Sequence, residues 1–238
     1  MMIELDKKQL ADVDYRSREA FKTLRTNILF CGDDVKVISM TSATPNEGKS
    51  TVTLNLAIAL AEMGKKVIYI DADLRKSVVK QKHRIKGVKV GFSHFLSGMK
   101  KFDEVVCSTN IPNLHMVLAG PVPPNPSELL GSKYMGVLLK NLREVYDFVI
   151  VDAPPVGSVT DATVIAKETD GVILVISQGE ISYKFEQKVL SDLKVSGCRI
   201  LGAVLNKVDL SENGYYGKYY GKYYGKYYGK YGQDEEQQ

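Results

Sequence analysis

The run Ala43-Thr-Pro-Asn-Glu-Gly48-Lys49-Ser50 carries residue types and a spacing that can hold a polyphosphate. It fits G-x-x-x-x-G-K-[ST] at every defined position except the first, where Ala43 stands. The chemistry needs backbone N–H groups of a tight loop, next to a helix N-terminus, aimed at anionic oxygens. Gly48 lets the loop approach closely, Lys49 is placed to reach the β- and γ-phosphates, and the Ser50 hydroxyl is placed to ligate Mg²⁺. Asn46, Glu47 and Thr51 complete the loop and the turn that follows, as further candidate nucleotide contacts. Two acidic motifs close apolar runs elsewhere: Asp71 and Asp73 in Val67-Ile-Tyr-Ile-Asp71-Ala-Asp73-Leu-Arg75, and Asp152 in Phe148-Val-Ile-Val-Asp152-Ala-Pro-Pro155. Ligands gather at the carboxyl ends of strands in open α/β sheets, so both motifs are expected to face the same phosphates. Asp152 is expected to hold Mg²⁺ directly or through water, while Asp71 and Asp73 offer a general base or a further metal contact. Acids at strand ends also serve as plain helix caps. The phosphate loop beside them favours the chemical reading.

These groups need strands to aim them. Apolar, β-rich runs recur at Val35–Thr41, Lys66–Asp71, Leu114–Leu118, Phe148–Asp152, Val172–Ser177 and Ile200–Asn206. Between them, Thr51–Met63, Lys133–Val145, Asp161–Lys167 and Tyr183–Val195 show three-to-four spacing. Continuous apolar strands alternating with helices predict an α/β fold, a doubly wound, mostly parallel sheet of the P-loop NTPase kind, with right-handed crossovers. Ser17–Phe30 reads as an extra N-terminal helix (about residues 17–30). The predicted domain covers residues 1–210, and residues 211–238 form a flexible tail. In that tail stand nine of the fourteen tyrosines: Tyr215, Tyr216, Tyr219, Tyr220, Tyr223, Tyr224, Tyr227, Tyr228 and Tyr231. Glycines 217, 221, 225 and 229 recur every fourth residue, too costly a pattern for a helix. The repeat offers phenol hydroxyls to solvent beside lysines 218, 222, 226 and 230.

The net charge of +4 is matched by the four tail lysines, with Asp234, Glu235 and Glu236 returning three negative charges, so nothing in the charge calls for nucleic acid. Cys31, Cys107 and Cys198 have no CxxC spacing and read as reduced thiols of a cytosolic protein, and His83, His94 and His115 are too scattered for a metal site. The longest apolar stretch, Val52 to Met63, is too short and too polar to span a bilayer, which predicts a soluble protein. Asn206-Lys207-Val208-Asp209 matches the guanine-reading pattern N-K-x-D, but GTPase switch segments are not evident. The GTP reading is set aside and Asn206 stands as a candidate base contact.

Taken together, S-A-T-P-N-E-G-K-S-T, I-D-A-D-L-R, V-D-A-P-P, P-P-N-P-S-E-L-L (Pro123–Leu130), L-N-K-V-D and the terminal tyrosine cluster resemble the bacterial tyrosine kinases of capsule and exopolysaccharide export. The resemblance runs from about Tyr15 to the C-terminus. It implies an ATP- and Mg²⁺-dependent enzyme with Lys49 and Ser50 in its first phosphate motif, Asp71 and Asp73 in a second acidic motif and Asp152 in a third. It implies phosphorylation of the chain's own C-terminal tyrosines, usually those of a neighbouring subunit, with Asp71 nearest the incoming phenol. It also implies a separate membrane-protein activator that holds the kinase at the inner face of the plasma membrane, and a ring of subunits built by an E-x-x-R-x-x-R helix. Here that helix motif is Glu19, Lys22 and Arg25, with Lys22 in place of an arginine, which keeps the charge and loses the bidentate fork. Septum-positioning and plasmid-partitioning ATPases share the fold but carry a signature lysine at the second loop position, where this chain has Thr44. Two other functions compete with the kinase reading: an ATP-dependent switch with an adhesive tail, and a plain partitioning-type ATPase.

Overall fold

The computed structural model describes residues 1–6, 14–157 and 160–209. In chain order the elements are β1 (Met2–Ile3), α1 (Tyr15–Leu29), β2 (Val37–Ser42), α2 (Lys49–Glu62), β3 (Val67–Asp71), α3 (Val79–Lys82), α4 (Phe92–Leu96) and α5 (Phe102–Val105). There follow β4 (Val106–Thr109), β5 (Leu114–Val117), α6 (Pro126–Leu130), α7 (Lys133–Val145), β6 (Phe148–Asp152), α8 (Asp161–Ala166), β7 (Gly171–Ser177), α9 (Tyr183–Val195) and β8 (Ile200–Asn206). The predicted tyrosine tail lies outside the described residues.

Every residue of β2, β3 and β6 is buried, as expected of central strands covered on both faces. The strands form one sheet in the order β1-β4-β5-β3-β6-β2-β7-β8. All neighbouring pairs are parallel except β4 with β5. Side chains alternate between the two faces along each strand. On one face, Ile38, Met40, Tyr69, Ile150, Ile173 and Val175 pack with Leu54, Ala57 and Leu60 of α2 and Ile28 of α1. On the other, Ile68, Ile70, Val149 and Val151 meet Met135, Leu138 and Leu142 of α7 and Ile165 of α8. α2 is apolar almost all round, which suits a helix wedged between the sheet and α1.

The predicted strands and long helices all form, within a residue or two of their expected ends. The sequence reading missed β1 and β4. β4 is four residues long and lies directly after the helical turn of α5, so no alternation has room to develop. It returns antiparallel to β5 through a turn in which Asn113 takes a left-handed φ of 65°. The three cysteines are free thiols.

Candidate functional site

Strand β2 ends at Ser42 and α2 starts at Lys49, so the phosphate-type loop bridges them in six residues, 43–48. Two left-handed residues bend it, Asn46 at φ 70° and Gly48 at φ 86°. Asn tolerates that region better than most side chains. At Gly48 a second constraint applies, because an added Cβ would lie 2.1 Å from Asn206 Nδ2. The Glu47 side chain turns inward, fully buried, accepting from the Ala43 amide at 3.2 Å and from Thr44 Oγ1 at 2.9 Å. Burial pushes its pKa up against those hydrogen bonds. Glu47 therefore braces the loop from within. Asn206 does so from outside: its Nδ2 donates to the Glu47 carbonyl at 2.8 Å, and Lys207 Nζ donates to the Asn46 carbonyl at 2.8 Å and to Glu180 at 2.5 Å. The nitrogen of the candidate base contact is thus committed to the loop backbone.

The acids converge where the sheet register places them. β3 and β6 are neighbours, and Asp71 is opposite Asp152; β2 flanks β6 on its other side, with Met40 opposite Asp152. Lys49, itself buried, donates to Asp152 Oδ1 at 2.5 Å and lies 3.4 Å from Ser50 Oγ. The other oxygen of Asp152 accepts from the Tyr69 hydroxyl at 2.7 Å. Tyr69 and Asp71 lie two apart on β3 and share one face, so the phenol reaches forward along the sheet to the neighbouring carboxylate. Asp71 Oδ2 accepts a hydrogen bond from Ser77, while its Oδ1 is buried without a partner. Desolvation, then the charge of Asp152, raise the Asp71 pKa to about 7, with Ser77 and Lys49 pulling the other way. Among the described residues no three His, Cys, Asp or Glu side chains gather closely enough to hold a metal alone. A hard cation at this site would need oxygens from a hydroxyl and from a phosphate as well.

With this geometry in place, comparison with known proteins is decisive. A family described as "AAA domain" matches residues 35–195. The tyrosine-protein kinase CpsD of Streptococcus pneumoniae serotype 4 is 41% identical over 213 residues, covering 90% of this chain and 93% of that one. The kinase domain of the Escherichia coli tyrosine kinase ETK superposes with a TM-score of 0.77 at 34% identity, covering 82% of this chain and 78% of that one. The chain belongs to the bacterial tyrosine-protein kinases. The septum site-determining protein MinD of Pyrococcus horikoshii, complexed with Mg-ADP, is a more distant neighbour, with a TM-score of 0.64 at 29% identity over 76% of this chain and 73% of that one.

The chain is accordingly a protein-tyrosine kinase, and the remaining predicted residues fall at two distances from its centre. Asp73 accepts from the Lys76 amide at 3.0 Å, capping the turn that carries the chain away from β3. Arg75, two residues on, grips the buried Asp161 with Nε at 2.7 Å and an NH2 group at 3.1 Å; Ser127 of the Pro123–Leu130 motif donates to the same carboxylate at 2.5 Å. Those bonds hold the Asp161 pKa down against its burial. Three segments of the kinase meet at one acid, and spacing along the chain gives no sign of it. Thr51, at the other side of the loop, accepts from Lys82 at 2.5 Å. Farther off on α1, Lys22 donates to Glu19 at 2.7 Å on an exposed face, whereas Arg25 turns inward to the Ala59 carbonyl at 3.0 Å, its Nε buried without a partner.

Sequence reasoning passed over Tyr69, a tyrosine inside an aliphatic strand that looked like core. The signal was its position two residues before Asp71. Tyr69→Phe is expected to keep the fold but to strip Asp152 of one charged hydrogen bond, costing about 1.5–3 kcal/mol of stability. Urea unfolding measures this; a loss below half a kilocalorie would mean that water replaces the phenol.

Proposed function

We propose that this kinase transfers the γ-phosphoryl group of ATP to tyrosines of its own Tyr215–Tyr231 cluster, in trans within an oligomer. Through tail phosphorylation it regulates capsular or exopolysaccharide synthesis and export. The observation that carries this reading is the pair of strand-end acids in register, Asp152 matched by Lys49 and Asp71 left with one buried, unpartnered oxygen. In the transfer, the phenol oxygen bonds to the γ-phosphorus as the bond to the β–γ bridging oxygen breaks, and ADP leaves with that electron pair. Asp71 receives the phenol proton. A carboxylate whose proton affinity is raised by burial serves better as an acceptor near neutral pH than an ordinary aspartate does. Lys49 is positioned to neutralise charge on the γ-phosphate, and the amides of residues 46–51 to cradle the rest.

Ser50, Asp152 and Asp71 would hold Mg²⁺, their hydroxyl and carboxylate oxygens being the hard donors that this ion takes, and the unpartnered Asp71 oxygen fits the role. When bound, the ion would supply charge neutralisation to the polyphosphate. The Mg-ADP held by the MinD relative supports the same pair of ligands here. Glu19 and Lys22 on the open face of α1 would meet a neighbouring subunit, while Arg25 supports that helix from within its own chain. Recruitment to the inner membrane face would fall to a separate membrane-protein activator; no helix among the described residues is long and apolar enough to cross a membrane.

Intact mass spectrometry after incubation with Mg·ATP at high protein concentration, with and without an activator segment, tests the reading. A ladder of phosphate additions mapping to Tyr215–Tyr231 and missing from a Lys49→Met control is expected. ATP turnover with no additions would make the chain an ATPase switch with an adhesive tail.

A further inference from the structure

From Lys76 to Lys89 the chain carries six cationic residues, Lys76, Lys80, Lys82, Arg84, Lys86 and Lys89, and no Asp or Glu. All six are exposed. Their display is built in: Val79, His83, Ile85 and Val88 are buried beneath them, and Lys80 Nζ ties back to the Val88 carbonyl at 2.7 Å. Apolar side chains thus pin the strip down and leave the cations facing solvent. The strip begins beside the reacting groups, since Ser77 donates to Asp71 and Lys82 reaches Thr51. Among the described residues a single carboxylate, Asp6, comes within salt-bridge reach of the six, 4.0 Å from Arg84. Lys49 and the loop amides already provide for a polyphosphate, and among the described residues Lys82 alone of the six cations bonds to a candidate nucleotide contact, Thr51.

We propose that the strip docks the acidic segment Asp234-Glu235-Glu236 of a second copy's tail and thereby feeds its tyrosines to Asp71 in order, from Tyr231 back toward Tyr215. The inference rests on the autokinase reading above and adds a substrate-docking surface to it. Charge sets the polarity. The repeat carries a lysine in every unit and is repelled by the strip, and its acids stand together only beyond Tyr231. Tyr231 precedes Asp234 by three residues, roughly 10 Å of extended chain, so an acid held on the strip keeps the phenol within that reach of it. Phosphate on Tyr231 brings about −1.5 to −2 charges, which gives the strip a new anion to hold. The next pair, Tyr227 and Tyr228, then lies one four-residue unit upstream, roughly 13–14 Å away when extended. Each transfer prepares the next.

A second copy fits better than the chain's own tail. The tail follows β8 at one edge of the sheet, whereas the far end of the strip lies by β1 at the other, with Arg84 near Asp6 and Gly87 against Met1. Seven inter-strand spacings separate those edges, roughly 34 Å.

Top-down mass spectrometry over a time course, sampled from the first phosphate onward, tests this on the full chain. Asp71→Asn copies serve as substrate and active copies as enzyme. Tyr231 is expected to lead, with occupancy spreading toward Tyr215. Enzyme carrying Lys86→Glu and Lys89→Glu is expected to add the first phosphate about five- to tenfold more slowly while its ATP turnover is unchanged. Substrate copies with Asp234, Glu235 and Glu236 each changed to Lys should show the same loss on unaltered enzyme, and recover to within about twofold on the charge-reversed enzyme. Scattered order from the outset, or no rescue by the swap, overturns the dock. If the variant instead loses binding to phosphatidylglycerol vesicles while the order persists, the strip is a membrane-facing surface and the dock is again overturned. Absence of any phosphate with the unaltered chain is a different failure, that of the autokinase reading.

Discussion

Lys49→Met is expected to abolish tyrosine phosphorylation and, as a separate effect, to lower the stability of the folded domain by about 3–5 kcal/mol. The first effect follows from losing the cation proposed above to neutralise the γ-phosphate, a class of change that costs on the order of 10²–10³ in rate even when a single donor is lost. The second follows from the partner. Asp152 is fully buried at the centre of the sheet, and Lys49, itself only 7% exposed, is the cation that neutralises it. Methionine fills much of the lysine's volume and supplies no charge, so the carboxylate stays buried with one hydrogen bond, from Tyr69. For a chain of this size the deficit corresponds to a fall in Tm of about 6–20 °C. Lys49→Met combined with Asp152→Asn removes both charges and is expected to recover most of that Tm without recovering any kinase activity. Differential scanning calorimetry of the single and double variants checks it. Equal Tm values for Lys49→Met and the unaltered chain would mean that Asp152 is already neutral or hydrated, and the electrostatic account of the site would fail.

The parts of this site that lie close together in the chain could be read from it. Gly48, Lys49 and Ser50 form one uninterrupted motif, and Asp71 and Asp152 announce themselves as lone acids at the ends of aliphatic strands. The register that sets the two acids side by side follows from parallel pairing. Contacts that cross long stretches of chain could not be read in this way. Arg75, Ser127 and Asp161 come from three separate connections, and only the folded sheet brings them to one carboxylate. Asn206 could be found by motif, but a pattern that marks a base contact elsewhere gives no hint that its amide braces the phosphate loop. Arg25 fits the interface motif by spacing, and nothing in that spacing tells that one of its guanidinium nitrogens also donates to the Ala59 carbonyl of its own chain. Spacing gives the face of a helix only when the neighbour is known. β1 and β4 escaped because two and four residues are too few to show any period.

Asp71→Asn is expected to do the opposite of Lys49→Met to stability while sharing its effect on activity. Asp71 sits opposite Asp152, buried, with one oxygen unpartnered, and its pKa is raised from 3.8 to about 7. The sign follows from the raised value. Between pH 4 and 7 the folded protein keeps a proton that the unfolded chain has released, so folding is favoured on the acid side, and that advantage is lost as pH rises through about 7. Above that pH the folded chain carries an ionised carboxylate its surroundings resist, a penalty on the order of 4 kcal/mol for a shift of this size. Asparagine carries no such charge. In metal-free protein, with chelator present, the variant should therefore be markedly more stable than the unaltered chain at pH 8.5 and within about 1 kcal/mol of it at pH 4.5. Added Mg²⁺ with ADP should narrow the gap at pH 8.5 by stabilising the unaltered chain more. Phosphorylation should fall about 10²- to 10⁴-fold, because the proposed proton acceptor is gone. Urea unfolding at the two pH values decides the matter. A stability difference independent of pH would show that Asp71 does not titrate with folding. A difference that follows the predicted course would mean that the kinase keeps, at its reacting centre, a charge that destabilises its own fold, held there because the phenol proton and the cation both need it.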